Sequence, residues 1–140
     1  MNLQHYLWKD VIGYNLHPAI PVRNDPDLRI ADVGTGTGSE ASPSPTEIGE
    51  ETLIGVRVWL VDLSRQLPSA HLDGFDISDE QFPPKQWLPA KLSLQTLDVF
   101  SPIPDDLVGK YDIVHVRLFV LVVRNDDPTP ILRNLTSMLS

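Results

Sequence analysis

The 140-residue sequence contains no cysteine. Disulfides, thiolate metal sites and cysteine nucleophiles are excluded together. Basic charge is scarce: 11 Lys and Arg against 19 Asp and Glu leave a net charge of −8. Such a balance disfavours a phosphate-backbone partner, so no nucleic acid is expected. Long apolar runs are also missing. The longest, "LFVLVV" at residues 118–123, has six residues, where a bilayer span needs roughly 20. The start, "MNLQHYLWKDVIGYNLHP", lacks the basic opening and apolar core of a signal peptide. No membrane partner and a cytoplasmic location follow as expectations. His5, His17 and His71 stand at no metal-binding spacing, so no metal is expected.

What is present is ordinary for a globular α/β chain. Apolar residues make up 41% and charged residues 21%, enough for one domain with a real core. Thirteen prolines fall mainly in connecting segments. Leu3, Leu7, Val11 and Ile12 predict a short amphipathic helix ending near Gly13, and "HPAIPVRNDPD" reads as loop. "LRIADV", "HLDGFDIS", "KLSLQTLDV" and "YDIVHV" read as four short strands. "VWLVDLSRQLPS" places Leu60, Leu63 and Leu67 on one helical face before Pro68. "DDPTPILRNLTSML" reads as a helix capped by Asp127 or Thr129, with Pro128 or Pro130 in its first turn. Its apolar face is expected at Leu132, Leu135 and Leu139. Alternating strands and helices predict a parallel sheet of about four strands with flanking helices, ligands lying at the carboxyl ends of the strands. Residues 1–28 form a helical cap and loop in this reading, and residues 29–140 the α/β domain.

The chemistry-bearing residues lie at those strand ends. "DVGTGTG" puts Gly34, Gly36 and Gly38 directly after the first strand, where glycine permits positive φ and close approach of a ligand. The third glycine falls one position early for a dinucleotide fingerprint. Asp32 suits a ligand amino group better than a pyrophosphate. Asp76, ending the second strand, is placed to accept hydrogen bonds from ribose hydroxyls. It follows Gly38 by 38 positions, twice the usual separation of about 20. Residues 39–57 hold two prolines, two glycines, four acidic residues and no aromatic residue. Treated as an insertion, these nineteen residues leave a separation of 19, and the glycine turn then runs straight into "VWLVDL". So clean an excision is the pattern of a retained intron or alternative gene model. Comparing transcript with genomic sequence tests that expectation. Asp98, in "LDVF", has two readings: an adenine contact flanked by Val99 and Phe100, or a turn former.

In this order, "LRIADVGTGTG", "LDGFDIS", "LQTLDVFSPIP" and "YDIVHVRLFVLV" resemble class I S-adenosylmethionine-dependent methyltransferases, most nearly the small-molecule enzymes of fungal secondary metabolism. "LQHYLWKDVIGYNLHPAIP" is similar to the cap preceding the glycine strand in that group. The resemblance covers residues 1–38 and 58–140. It implies a partial seven-strand Rossmann-like fold and S-adenosyl-L-methionine as cofactor. Asp32, Gly34, Gly36 and Gly38 would hold the methionine part, Asp76 the ribose, and Asp98 with Val99 the adenine. The partner would be a small-molecule methyl acceptor. The family continues past the point equivalent to "LTSML" with three more strands, so a truncated, inactive form is an expectation too. A non-catalytic cofactor-binding module is the alternative, and an NAD(P)-dependent oxidoreductase domain a weaker one. His115 and Arg117, ending the fourth strand, are candidates to align the acceptor or to take its proton; a half-buried strand histidine is the plainer reading of His115. Tyr6, Trp8 and Trp59 read as packing residues.

Overall fold

The computed structural model describes residues 10–34, 58–80, 82–116 and 123–140. Leu3 and Leu7, the insertion 39–57, Gly36, Gly38, Arg117 and the run 118–122 lie outside the described residues. Residues 10–12 are helical and Gly13, with φ 81°, follows them, as the sequence predicts.

Four parallel strands make one sheet: β1 (Arg29–Val33), β2 (His71–Asp76), β3 (Leu92–Thr96) and β4 (Ile113–Val116), in the order β3-β2-β1-β4. Two helices complete the layers, α1 (Val58–Gln66) between β1 and β2 and α2 (Thr129–Ser137) after β4. The period-2 alternation of β1 feeds a core on each face of the sheet. Ile30 packs with Trp59, Leu60, Leu63, Leu72 and Leu92 on the α1 side. Ala31 and Val33 pack with Phe75, Tyr111, Ile131, Leu135 and Met138 on the α2 side. With apolar side chains on both faces, β1 is the buried centre that a parallel sheet requires.

The expectation for one element is revised. The apolar face of α2 is Ile131, Leu135 and Met138, all at most 5% exposed, whereas Leu132 is 52% and Leu139 41% exposed. Positions 131, 135 and 138 follow the i, i+4, i+7 stripe, and only Leu135 of the expected set lies on it. Pro128, and not Asp127 or Thr129, takes the N-cap position, Pro130 lies in the first turn, and Asp127 Oδ1 accepts the Thr129 N–H at 2.9 Å just ahead of the helix. The Thr129 hydroxyl first, and its backbone N–H second, lower the Asp127 carboxyl below the usual range. The connections follow the sequence, in which "FPPKQWLPA" reads as a proline-rich turn and "SPIPDDLVGK" as loop. The β2–β3 connection carries only a 3₁₀ turn, Lys85–Trp87, because Pro83, Pro84 and Pro89 remove amide donors where a helix would need them. Turns and bends also occupy residues 99–109, between β3 and β4.

The carboxyl end of α2 is tied to the strand entering β4. Gly109 and Lys110 donate to the Ser137 and Met138 carbonyls, and Ser140 donates to Tyr111, all at 2.9 Å. Carbonyls that a helix end leaves open are thus satisfied. Arg29 and Asp112 exchange two 2.9 Å bonds at the start of β1 and β4. The register that results sets the height of every residue at the opposite edge.

Candidate functional site at the strand tips

Asp32 is the fourth residue of β1. It is abreast of Gly74 in β2 and His115 in β4. Gly74 and Asp76 are two apart, so Asp76 faces the same side of the sheet as Asp32, the α1 side. Val33 pairs with Phe75, and the Gly34 N–H donates to the Phe75 carbonyl at 2.8 Å. Gly34 is therefore level with Asp76. Its φ of 72° turns the chain at the tip of β1, where a side chain would be strained. Asp32, Gly34 and Asp76 occupy adjoining strand tips, as the sequence predicts for these three.

Both carboxylates are buried, Asp32 at 6% and Asp76 at 7% exposure. Asp76 Oδ1 accepts the Ile77 N–H at 2.7 Å, and its backbone carbonyl accepts the Leu97 N–H at the same distance. These bonds fix the tip of β2 against the segment leaving β3. Asp32 Oδ1 lies 2.7 Å from His115 Nδ1. The His115 ring stacks on Trp59, with centroids 3.9 Å apart and planes 9° from parallel. Trp59 in turn donates from Nε1 to the Asn15 carbonyl at 3.0 Å, which links the amino-terminal segment to the site. The Asn15 amide nitrogen is buried and has no acceptor among the described residues. Buried amides of this kind are normally satisfied, so a ligand oxygen would find a ready donor there.

Asp98 sits in the turn after β3, and both its oxygens serve that turn. Oδ1 accepts the Phe100 N–H and Oδ2 the Ser101 hydroxyl, each at 2.9 Å. The Phe100 amide, then the Ser101 hydroxyl, hold its carboxyl below the usual range. The turn-former reading thus describes the bonds Asp98 makes. Val99 is buried in the α2-side core, and its carbonyl accepts from Asn134 at 2.7 Å. Phe100 carries the Arg124 guanidinium over its ring, 4.0 Å from the centroid. Gly36, Gly38 and Arg117 lie outside the described residues. A shallow groove lined by Ile20, Val22, Leu28 and Ile113 opens at the opposite, amino edge of β1 and β4, away from these residues.

Two residues near the site have no site role in the sequence reading. Trp59 reads as packing, yet its ring is one wall around His115. Ile77, beside Asp76, is 69% exposed and offers an apolar surface at the tip of β2. A signal exists for Trp59: with residues 39–57 removed it stands in the first turn after the glycines. For Ile77, adjacency to a strand-end carboxylate is the only hint.

Taken together, the sheet order and the carboxyl-edge residues define a partial Rossmann-like methyltransferase fold. A solved structure of the citrinin polyketide synthase CMeT domain superposes with a TM-score of 0.60 at 21% identity, over 85% of this chain and 27% of that one. By sequence the chain is similar to methyltransferases of fungi. It is 33% identical over 128 residues to the N-methyltransferase tcpN of Claviceps purpurea, covering 91% of this chain and 39% of that protein. To the methyltransferase grgD of a Penicillium species it is 32% identical over 146 residues, covering 99% and 44%. The chain thus spans about two fifths of the length of these relatives. No protein-family model matches it.

Proposed function

We propose that the strand-tip site binds S-adenosyl-L-methionine and that the protein's activity is methyl transfer to a small metabolite. One observation carries this reading: two buried carboxylates on one face of the sheet, at adjoining tips, beside a glycine turn. The chemistry of the donor set fits the cofactor. Asp32 and the backbone at Gly34 suit an ammonium and carboxylate, and Asp76 suits two ribose hydroxyls. Ile77, exposed beside Asp76, would border the adenine. Bound there, the sulfonium supplies an electrophilic methyl group. The contribution of this chain is to bind and orient, which alone can supply much of the acceleration. His115 is the candidate to hold a departing proton, and Arg117, which stays protonated, the candidate to align the acceptor. Residues 1–28 would act as the cap over the site, the part that links to it being Asn15.

Calorimetric titration with S-adenosylhomocysteine tests the reading. Binding is expected, and Asp76→Ala is expected to weaken it at least tenfold, since hydrogen bonds to a charged group contribute about 1.5–3 kcal/mol. Folded protein that releases no heat at millimolar ligand rules the reading out. Methyl transfer above a Gly36→Asp control distinguishes an enzyme from a binding module.

A further inference from the structure

Asp32 has a second partner besides any ligand, and that partner is held on two sides. His115 is held by a 2.7 Å bond at Nδ1 and by a parallel ring stacked 3.9 Å away. In the tautomer whose Nδ1–H donates to this carboxylate, the lone pair of the neutral ring is on Nε2. The side chain keeps 24% exposure, against 9% for Asp32. One ring face and the Nδ1 edge are covered, so what solvent reaches lies on the remaining face and edges. A carboxylate that orients an imidazole in one tautomer and faces the imidazolium when it forms is an arrangement that prepares a base. A third group holding the base in place belongs to the same logic. Trp59 supplies it here, from the first turn of α1.

We propose that Asp32 and Trp59 are positioning residues for His115, which presents an unprotonated Nε2 as the proton acceptor for an amine or hydroxyl ligand at the strand tips. The step balances without a further reactant. The ligand's N–H or O–H bond breaks with its electron pair left on nitrogen or oxygen. The proton bonds to Nε2, the imidazolium faces Asp32, and the proton passes on to water. Asp32 then has two duties, one oxygen engaged by His115 while the carboxylate also serves the cofactor's ammonium. This inference rests on the methyltransferase reading for the identity of the ligand, but not for the state of His115.

The test uses the full chain with ¹⁵N-labelled histidine and no acceptor. Long-range proton–nitrogen spectra at mildly alkaline pH are expected to show His115 as a single Nδ1–H tautomer with ring protons shifted upfield by Trp59. Asp32→Asn, which keeps the shape but can donate as well as accept, is expected to mix the tautomers. Trp59→Leu is expected to abolish the upfield shift. Carbethoxylation by diethyl pyrocarbonate, mapped by mass spectrometry, reads Nε2 directly, and His115 is expected to react several-fold faster in the native chain than in Asp32→Asn. An Nε2–H or averaged tautomer in the native chain overturns the proposal. So does a His115 that resists the reagent while His17 and His71 react, the result expected of a purely structural histidine. Titrating S-adenosylhomocysteine into the labelled sample separates the two readings: a locked, reactive His115 with no sign of binding supports the positioning role and removes the methyltransferase assignment.

Discussion

At the scale of single residues, the polar cluster on the α2 side shows how a buried group reports on folding. The Tyr111 hydroxyl donates to Asp73 Oδ2 at 2.8 Å, and Ser93 and Lys110 share the same carboxylate. Burial first, and the Asp73 bond second, push the Tyr111 phenol well above its ordinary value. A raised value in the folded state means stability that is complete below the unfolded value of about 10 and is lost as pH rises beyond it. Alkaline unfolding is expected to begin there, with the Tyr111 tyrosinate absorbance appearing together with loss of the circular dichroism signal. Tyr111→Phe is expected to cost about 1 kcal/mol in denaturant titration and to remove the Tyr111 part of that pH dependence. Legibility at this scale is uneven. Asp32 and Asp76 are readable because a strand end fixes where its last side chains go. The bonds of Asp98 to Phe100 and Ser101 are local and equally readable, since an aspartate two or three residues before its donors forms a turn wherever it stands. The contact between Trp59 and His115 spans 56 positions and has no local signature.

At the scale of elements, α2 shows what a helical pattern leaves open. Its sequence offers two leucine-containing stripes a third of a turn apart, and only the sheet decides between them. Ile131, Leu135 and Met138 reach Val33 and Phe75 because the segment 109–111 pins the helix end at that rotation. Leu135→Ala is therefore expected to cost about 2–5 kcal/mol, and Leu132→Ala no more than about 0.5 kcal/mol, measured by urea unfolding of the two variants side by side. Equal losses would place the helix in a different rotation. The connections teach the converse lesson. Prolines at 83, 84 and 89 block helix formation whatever the tertiary context, so the β2–β3 crossover is legible as irregular chain.

At the scale of the whole molecule, the sheet holds together through β1, and the site exists because β1, β2 and β4 end at matched heights. The spacing argument for residues 39–57 belongs to this scale. If the glycine turn and α1 are natural neighbours, deleting 39–57 leaves the sheet intact and shortens the loop to be closed. On a polymer estimate, each halving of loop length returns about 0.6 kcal/mol, so a gain of on the order of 1 kcal/mol is expected in thermal or denaturant unfolding. A deletion that unfolds the chain would show that these residues are structural. By itself the sequence determined the parallel α/β class, the four strands, and the positions of Asp32, Gly34 and Asp76 at strand ends, because alternation, glycine and proline act within a few residues. Only the tertiary structure decided which face of α2 is buried, that His115 is abreast of Asp32, and that Trp59 lies flat against it. Those depend on register and helix rotation, which are set by packing between segments far apart in the chain.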